Sequence, residues 1–356
     1  MNAFAELLAL HRSLGARIEE QASGPAVLGY GDLAREYRAM QEACGLCDRS
    51  GRGLVRLGGA DRVAFLHRLV TNDVNNLLAG RACYTAILTV KGKMIADARV
   101  LNRPDALLLD TEPGRAAAVT ELLAHYVISE DVEVVDATGS FAVLSLVGPR
   151  APEAAALVAG RPVPTLDENQ IEELGDGFAL GARLGQTPGV DLFVPTAQAS
   201  AAFAAALERG RSIGLAPVGS EALEVVRVEA GLPRFGADMN EETIPLEANL
   251  SERAIHFNKG CYVGQEVIAR ATFRGAVRRR LAGLALDALP LPAPGTAFFA
   301  AGAGERASAE TTSAVLSPRF GPIALAYVRR EHMAAGTELM TREGRKAWVR
   351  ALPFQA

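Results

Sequence analysis

Apolar positions recur along this chain in two rhythms, every third or fourth residue and every second residue, and the rhythms alternate in short blocks. In "MNAFAELLALHRSLGARIEE" and "YGDLAREYRAMQEACGL" the spacing is helical, so two helices are expected in the first fifty residues, the second with Asp32 as N-cap and Gly45 as its stop. "GLVRLGG" then alternates like a strand, and "ADRVAFLHRLVTNDV" places Val63, Phe65, Leu66, Leu69 and Val70 on one helical face. "ACYTAILTV" and "KMIADARVL" read as two strands joined at Lys91-Gly92. "DALLLDT" adds a strand, Pro113 opens a helix through "GRAAAVTELLAHYV", and "DVEVVDA" closes the block. A second stretch repeats the style without repeating the sequence: strand "FAVLSLVG", helix "APEAAALVAG", strands through "GFALGARLG" and "VDLFVP", and helix "TAQASAAFAAALERG". Helix "SEALEVVRVEAG", capped by Ser220, follows. From residue 279 the pattern becomes short strands between Pro and Gly turns, which predicts a small β-barrel. The class is α+β.

Composition narrows this little. A chain of 356 residues, 49% hydrophobic and 22% charged, favours two or three ordinary globular domains. A formal charge of −4 gives no general attraction to nucleic acid or anionic membrane, and "RGAVRRR" at 274–280 reads first as a solvated strand end. Four scattered cysteines, at 44, 47, 83 and 261, do not make a disulfide framework, so a reducing cytoplasm is expected. No stretch reaches the roughly 20 apolar residues that span a bilayer.

The densest chemistry is in "NKGCYVGQEVIAR" at 258–270. Gly260 and Gly264 free the backbone beside Cys261, Lys259 favours a thiolate electrostatically, and Gln265 and Glu266 bring further hydrogen-bonding groups. One thiol without nearby partners fits a transient role better than a structural zinc site, and no metal is expected. The plain alternative is an inert buried cysteine. "CGLC" at 44–47 ends a helix instead of opening one, which favours two half-buried cysteines over a redox pair. Histidines form no HExxH pair, and neither a Walker loop nor a strand-GxGxxG-helix unit is present.

"KGCYVGQE" closely resembles the signature of the YgfZ-type folate-binding proteins, relatives of the glycine-cleavage (GcvT) aminomethyltransferases. "FLHRLVTNDVNNLLAGRACYTAILTVKGKMIAD", "VVRVEAGLPRFGADMNEETIPLEANL" and the C-terminal strands extend the resemblance over nearly the whole chain. It implies three domains around a central tetrahydrofolate channel: 1–51 with 137–272, an inserted α+β domain at 52–136, and a barrel at 273–356. It also implies that Tyr84 packs by the folate and that Asp97, Arg227 and Glu229 line or support the pocket. A pterin suits a flat wall with a few placed polar groups, and a folate glutamate tail suits a cation. The plain alternatives are strand core for Tyr84 and ion-pair partners for Arg227 and Glu229.

The chain departs from the aminomethyltransferases at two places. Their paired aspartates are replaced by Ala96-Asp97, and their pterin-gripping glutamate by Val190, unless the alignment shifts by one and Asp191 takes that place. The resemblance therefore implies a tetrahydrofolate-binding accessory factor for assembly or repair of iron-sulfur clusters. Its partners would be client enzymes, those of tRNA modification included, or assembly proteins. Cys261 would be its working thiol, tuned by Lys259, with Gly260, Tyr262, Gly264, Gln265 and Glu266 shaping the loop. The alternative is a folate-dependent aminomethyltransferase or demethylase, with Asp97 positioning the folate nitrogen.

Overall fold

The computed structural model describes residues 3–273, 275, 277–302 and 304–355, so Arg274 and Ala276 of the basic cluster lie outside the described residues. Helix α1 (Ala3–Ser13) ends before Gly15, whose φ of +79° suits glycine, and a hairpin of β1 (Arg17–Gln21) and β2 (Gly24–Gly29) follows. This hairpin was not anticipated, because β1 is mostly exposed polar residues without alternation. Helix α2 (Leu33–Glu42) has the expected cap: the Asp32 carboxylate accepts from the Arg35 amide at 3.0 Å.

The "CGLC" segment is not a helix end. It forms strand β3 (Cys44–Asp48), buried throughout as far as Cys47 and paired to β9 (Phe141–Val147) on one side and β13 (Leu215–Pro217) on the other. A strand covered on both faces is a continuous apolar run, which has no period to read. Gly45 therefore does not stop α2; a Cβ there would meet Met40 and Val218.

Next come β4 (Gly53–Gly58), α3 (Arg62–His67), β5 (Arg81–Leu88), β6 (Met94–Asn102), β7 (Leu107–Thr111), α4 (Ala116–His125) and β8 (Glu133–Asp136). Helix α3 is shorter than its apolar spacing predicts, and Val70 instead bridges Ile87 of β5. After β9 follow α5 (Ala151–Ala159), β10 (Ile171–Leu174), β11 (Gly177–Leu184), β12 (Thr187–Pro195), α6 (Ala199–Arg209), β13, α7 (Ser220–Glu229), α8 (Ser251–Ala254) and α9 (Gln265–Phe273). The C-terminal strands are β14 (Arg279–Leu286), β15 (Ala297–Ala300), β16 (Ala309–Ser317), β17 (Gly321–Arg329), β18 (Glu338–Met340) and β19 (Lys346–Arg350).

The chain divides into two units, Met1–Leu66 with Val74–Cys83 and Ala98–Leu223, and His67–Asp73 with Tyr84–Asp97 and Glu224–Ala356. In the first unit a sheet ordered β10-β11-β12-β9-β3-β13 covers a core of Leu46, Leu144, Leu146, Val190 and Phe203. A buried ion network also lies here: Asp110 pairs with Arg52 and Arg99, and Arg99 continues to Asp191 at 2.6 Å. The second unit ends in the expected barrel, closed in the order β14-β17-β16-β15-β18-β19 with β14 pairing β19. Its other core gathers Leu88, Met94, Phe235, Leu250, Tyr262 and Ile268.

Candidate functional site

Tyr84 and Asp97 stand on β5 and β6, in the portions of those strands that belong to the second unit. The half-buried Tyr84 donates its hydroxyl to Oδ2 of Asp97 at 2.6 Å, and Asp97 is 7% exposed. The Arg253 guanidinium lies 4.9 Å from the centroid of the Tyr84 ring, within cation–π range. Asn72 joins them, its Nδ2 donating to the carbonyls of Tyr84 at 2.8 Å and Arg253 at 3.3 Å. A phenol ring, a buried carboxylate and a guanidinium thus converge, a set suited to a flat polar heterocycle. Arg253 and Asn72 were not singled out in the sequence. They lie 181 residues apart, and no local spacing reports that contact.

The cysteine motif leads into α9. Cys261 is exposed, and Gly260 beside it has open space where a side chain would stand. Lys259, by contrast, is 8% exposed, and its ammonium donates to the carbonyls of His67, Val70 and Asn72 at 2.5, 2.7 and 2.7 Å. Three convergent carbonyls match the three hydrogens of an ammonium, so Lys259 clamps the segment that carries Asn72. This clamp also explains why the chain leaves the helical path after His67. Tyr262 is buried in the core, and burial pushes its hydroxyl up to about 12. Gly264 has φ +84°, and a Cβ there would meet the Thr89 carbonyl oxygen at 2.6 Å. The Gln265 amide donates to the Tyr262 carbonyl at 3.2 Å, and the exposed Glu266 pairs with Arg270 along α9 at 2.6 Å.

Arg227 and Glu229 have other duties. Arg227 uses all five N–H donors: Nε and Nη2 on Glu224, Nη1 on Asp238 and the Leu232 carbonyl, and Nη2 again on Ser313 of β16. It has no donor to spare for a ligand carboxylate. Burial works against its charge, but Glu224 and Asp238 outweigh that and hold its pKa above the ordinary value. Glu229 accepts from the Ser317 hydroxyl, while its backbone carbonyl accepts from the Phe354 amide at 2.9 Å. Both residues tie α7 to the barrel.

Val190 and Asp191 occupy opposite faces of β12. Val190 is core, 2% exposed, while Asp191 accepts from Arg99 at 2.6 Å and Ser145 at 2.5 Å. Burial would raise the Asp191 carboxyl, but Arg99, Arg49 and the Ser145 hydroxyl overcome it and hold the group at about 2. Among the described residues, no cluster of three or more His, Cys, Asp and Glu is placed to hold a metal, and no helix is long and apolar enough to cross a membrane.

Residues 7–259 match the family model described as the GCVT N-terminal domain. The aminomethyltransferase of Rubrobacter xylanophilus is 33% identical, over 94% of this chain and 88% of its own. That of Saccharopolyspora erythraea is 31% identical, over 93% and 91%. The crystal structure of the glycine cleavage system aminomethyltransferase T from Bartonella henselae superposes with a TM-score of 0.90 at 26% identity, covering 98% of this chain and 97% of that one. These relatives carry the name aminomethyltransferase, and the similarity establishes the broad family. The chain therefore belongs to the GCVT family of aminomethyltransferase relatives.

Proposed function

We propose that this protein binds tetrahydrofolate or a one-carbon derivative of it at Tyr84 and Asp97, and works as a folate-dependent aminomethyltransferase. The observation that carries this reading is the Tyr84–Asp97 hydrogen bond at 2.6 Å with Arg253 over the ring. The names of its relatives support the activity. The donor set suits a pterin, which offers a flat face and several N–H groups to a carboxylate and a phenol. Tetrahydrofolate, when bound, would supply the nitrogens that accept the one-carbon unit, one in its reduced ring and one on the neighbouring aryl amine. Asp97 orients that heterocycle by accepting from it, Tyr84 holds the Asp97 carboxylate in place, and Arg253 steadies the Tyr84 ring. Arg227 and Glu229 anchor α7 to the barrel and take no part in holding the ligand.

One observation favours a second reading. Cys261 is exposed beside an open glycine, and one-carbon transfer has no use for a thiol. A soft, accessible sulfur ligand suits passing contact with iron-sulfur chemistry in client enzymes. Three measurements test the readings. Anaerobic calorimetry with tetrahydrofolate on wild type and Asp97→Asn should give saturable binding weakened about tenfold by the substitution, the loss of one hydrogen bond to a charged group. Turnover of tetrahydrofolate to its methylene form with a protein-bound aminomethyl donor supports the first reading. Folate binding without turnover, together with loss of client-enzyme activity in cells carrying only Cys261→Ser, supports the second. Absence of folate binding in the wild type removes both.

A further inference from the structure

The second unit has a cleft of about 580 Å³ that neither reading uses. Its walls come from α8, the C-terminal end of α9, the start of β14 and the turn after β17. Arg279, Arg280 and Arg330 line it against a single carboxylate, Glu252, and Arg279 is drawn partly to Glu247 at 3.4 Å. Arg280 and Arg330 are exposed, and among the described residues their side chains make no hydrogen bond or ion pair. Between these cations the surface is apolar, with Leu246, Phe257 and Met333. The apolar surface continues past the rim: Phe257 is 40% exposed and Phe273, at the end of α9, is 73% exposed. The two rings meet edge to face at a centroid distance of 6.3 Å.

We propose that this cleft docks an acidic segment of a partner protein, carrying one apolar side chain between its carboxylates. Unpaired arginines beside exposed aromatics are the combination that dominates protein interfaces, the rings giving area and the guanidiniums direction. The lining carries three arginines against one glutamate, and with Arg279 drawn to Glu247 the excess that complements a short acidic stretch comes from Arg280 and Arg330. It is too small for a nucleic-acid track, which needs a cation for each phosphate neutralised, and the chain as a whole carries −4. Helix α9 links the cleft to the cysteine loop over about 12 Å at 1.5 Å per residue. A segment seated in the cleft therefore holds its parent protein close to Cys261, whichever chemistry the folate site performs.

The test begins with random peptides displayed on phage and selected on the full-length protein, followed by fluorescence anisotropy with the enriched peptides. Enrichment of sequences with Asp and Glu around one large apolar residue is expected. Their Kd should rise about tenfold or more in the variant Arg280→Glu with Arg330→Glu, and also in Phe257→Ser. Both variants change surface side chains, and circular dichroism confirms that they fold. The proposal is overturned if selection enriches no acidic motif or if the charge-reversed variant binds the peptides as wild type does. It is also overturned if a single-stranded RNA displaces the peptides and is itself lost in that variant.

Discussion

Lys259 reaches the carbonyl of Asn72 at 2.7 Å, and the Asn72 side chain reaches the carbonyl of Tyr84 at 2.8 Å. The cysteine motif and the Tyr84 site therefore share one support, and a lesion in the first is transmitted to the second.

Lys259→Met is expected to destabilise the protein by about 3 kcal/mol, because three carbonyls lose a charged donor in a buried place. Lys259→Arg should not rescue it, since a planar fork cannot meet three carbonyls converging on one point. Urea denaturation of both variants, with a tetrahydrofolate titration at a temperature where they remain folded, measures the two effects. Folate affinity should fall in both variants.

Asp191 sets an acid limit. Its folded carboxyl titrates at about 2 against 3.8 for the free group, so the unfolded chain takes up its proton first as pH falls. The stability it contributes is whole above about pH 4 and is lost as pH drops toward 2, a change of about 2 kcal/mol. Urea midpoints measured across this range should slope less in Asp191→Asn than in wild type, and the variant should also be weaker at neutral pH because Arg99 loses a partner.

The four thiols should separate by access. Cys261 is exposed, whereas Cys44 and Cys47 are sealed in β3, where burial pushes the Cys44 thiol up to about 12. An aromatic disulfide reagent should therefore react with Cys261 first in the native protein and with the half-buried Cys83 more slowly, and the fast phase should vanish in Cys261→Ala. The β3 thiols should react only after denaturation.

Arg227→Lys should cost about 3 kcal/mol, since an ammonium cannot serve Glu224, Asp238, Ser313 and the Leu232 carbonyl together. Folate affinity of the folded variant should stay near that of wild type. A large fall in affinity without loss of stability would assign Arg227 to the ligand instead.

Much of the fold was legible wherever an element buries one face. The β5–β6 turn at Lys91-Gly92, the Asp32 cap and the C-terminal barrel all carry local signals, and the structure has each of them. Elements buried on both faces or on neither were not legible, as β3 and β1 show. Of the candidate site, the sequence pointed to Tyr84 and Asp97, which meet. It also pointed to Lys259 and Arg227, whose hydrogen bonds turn to the protein's own carbonyls and carboxylates. A residue type announces that a charge is present, but its partner is chosen by contacts such as Lys259 to His67, across 192 residues.

The close approach of Gly264 to the β5–β6 turn has a practical meaning for anyone moving this motif. Where a side chain at 264 would stand, the Thr89 carbonyl lies 2.6 Å away and the Gly92 Cα 3.2 Å away. The eight residues "KGCYVGQE" are therefore not a portable cassette. The smallest transplantable piece comprises the cysteine loop with α9, the turn at 88–93 that it rests on, and the 67–72 segment gripped by Lys259. A graft of the loop alone would present the same letters without the shape.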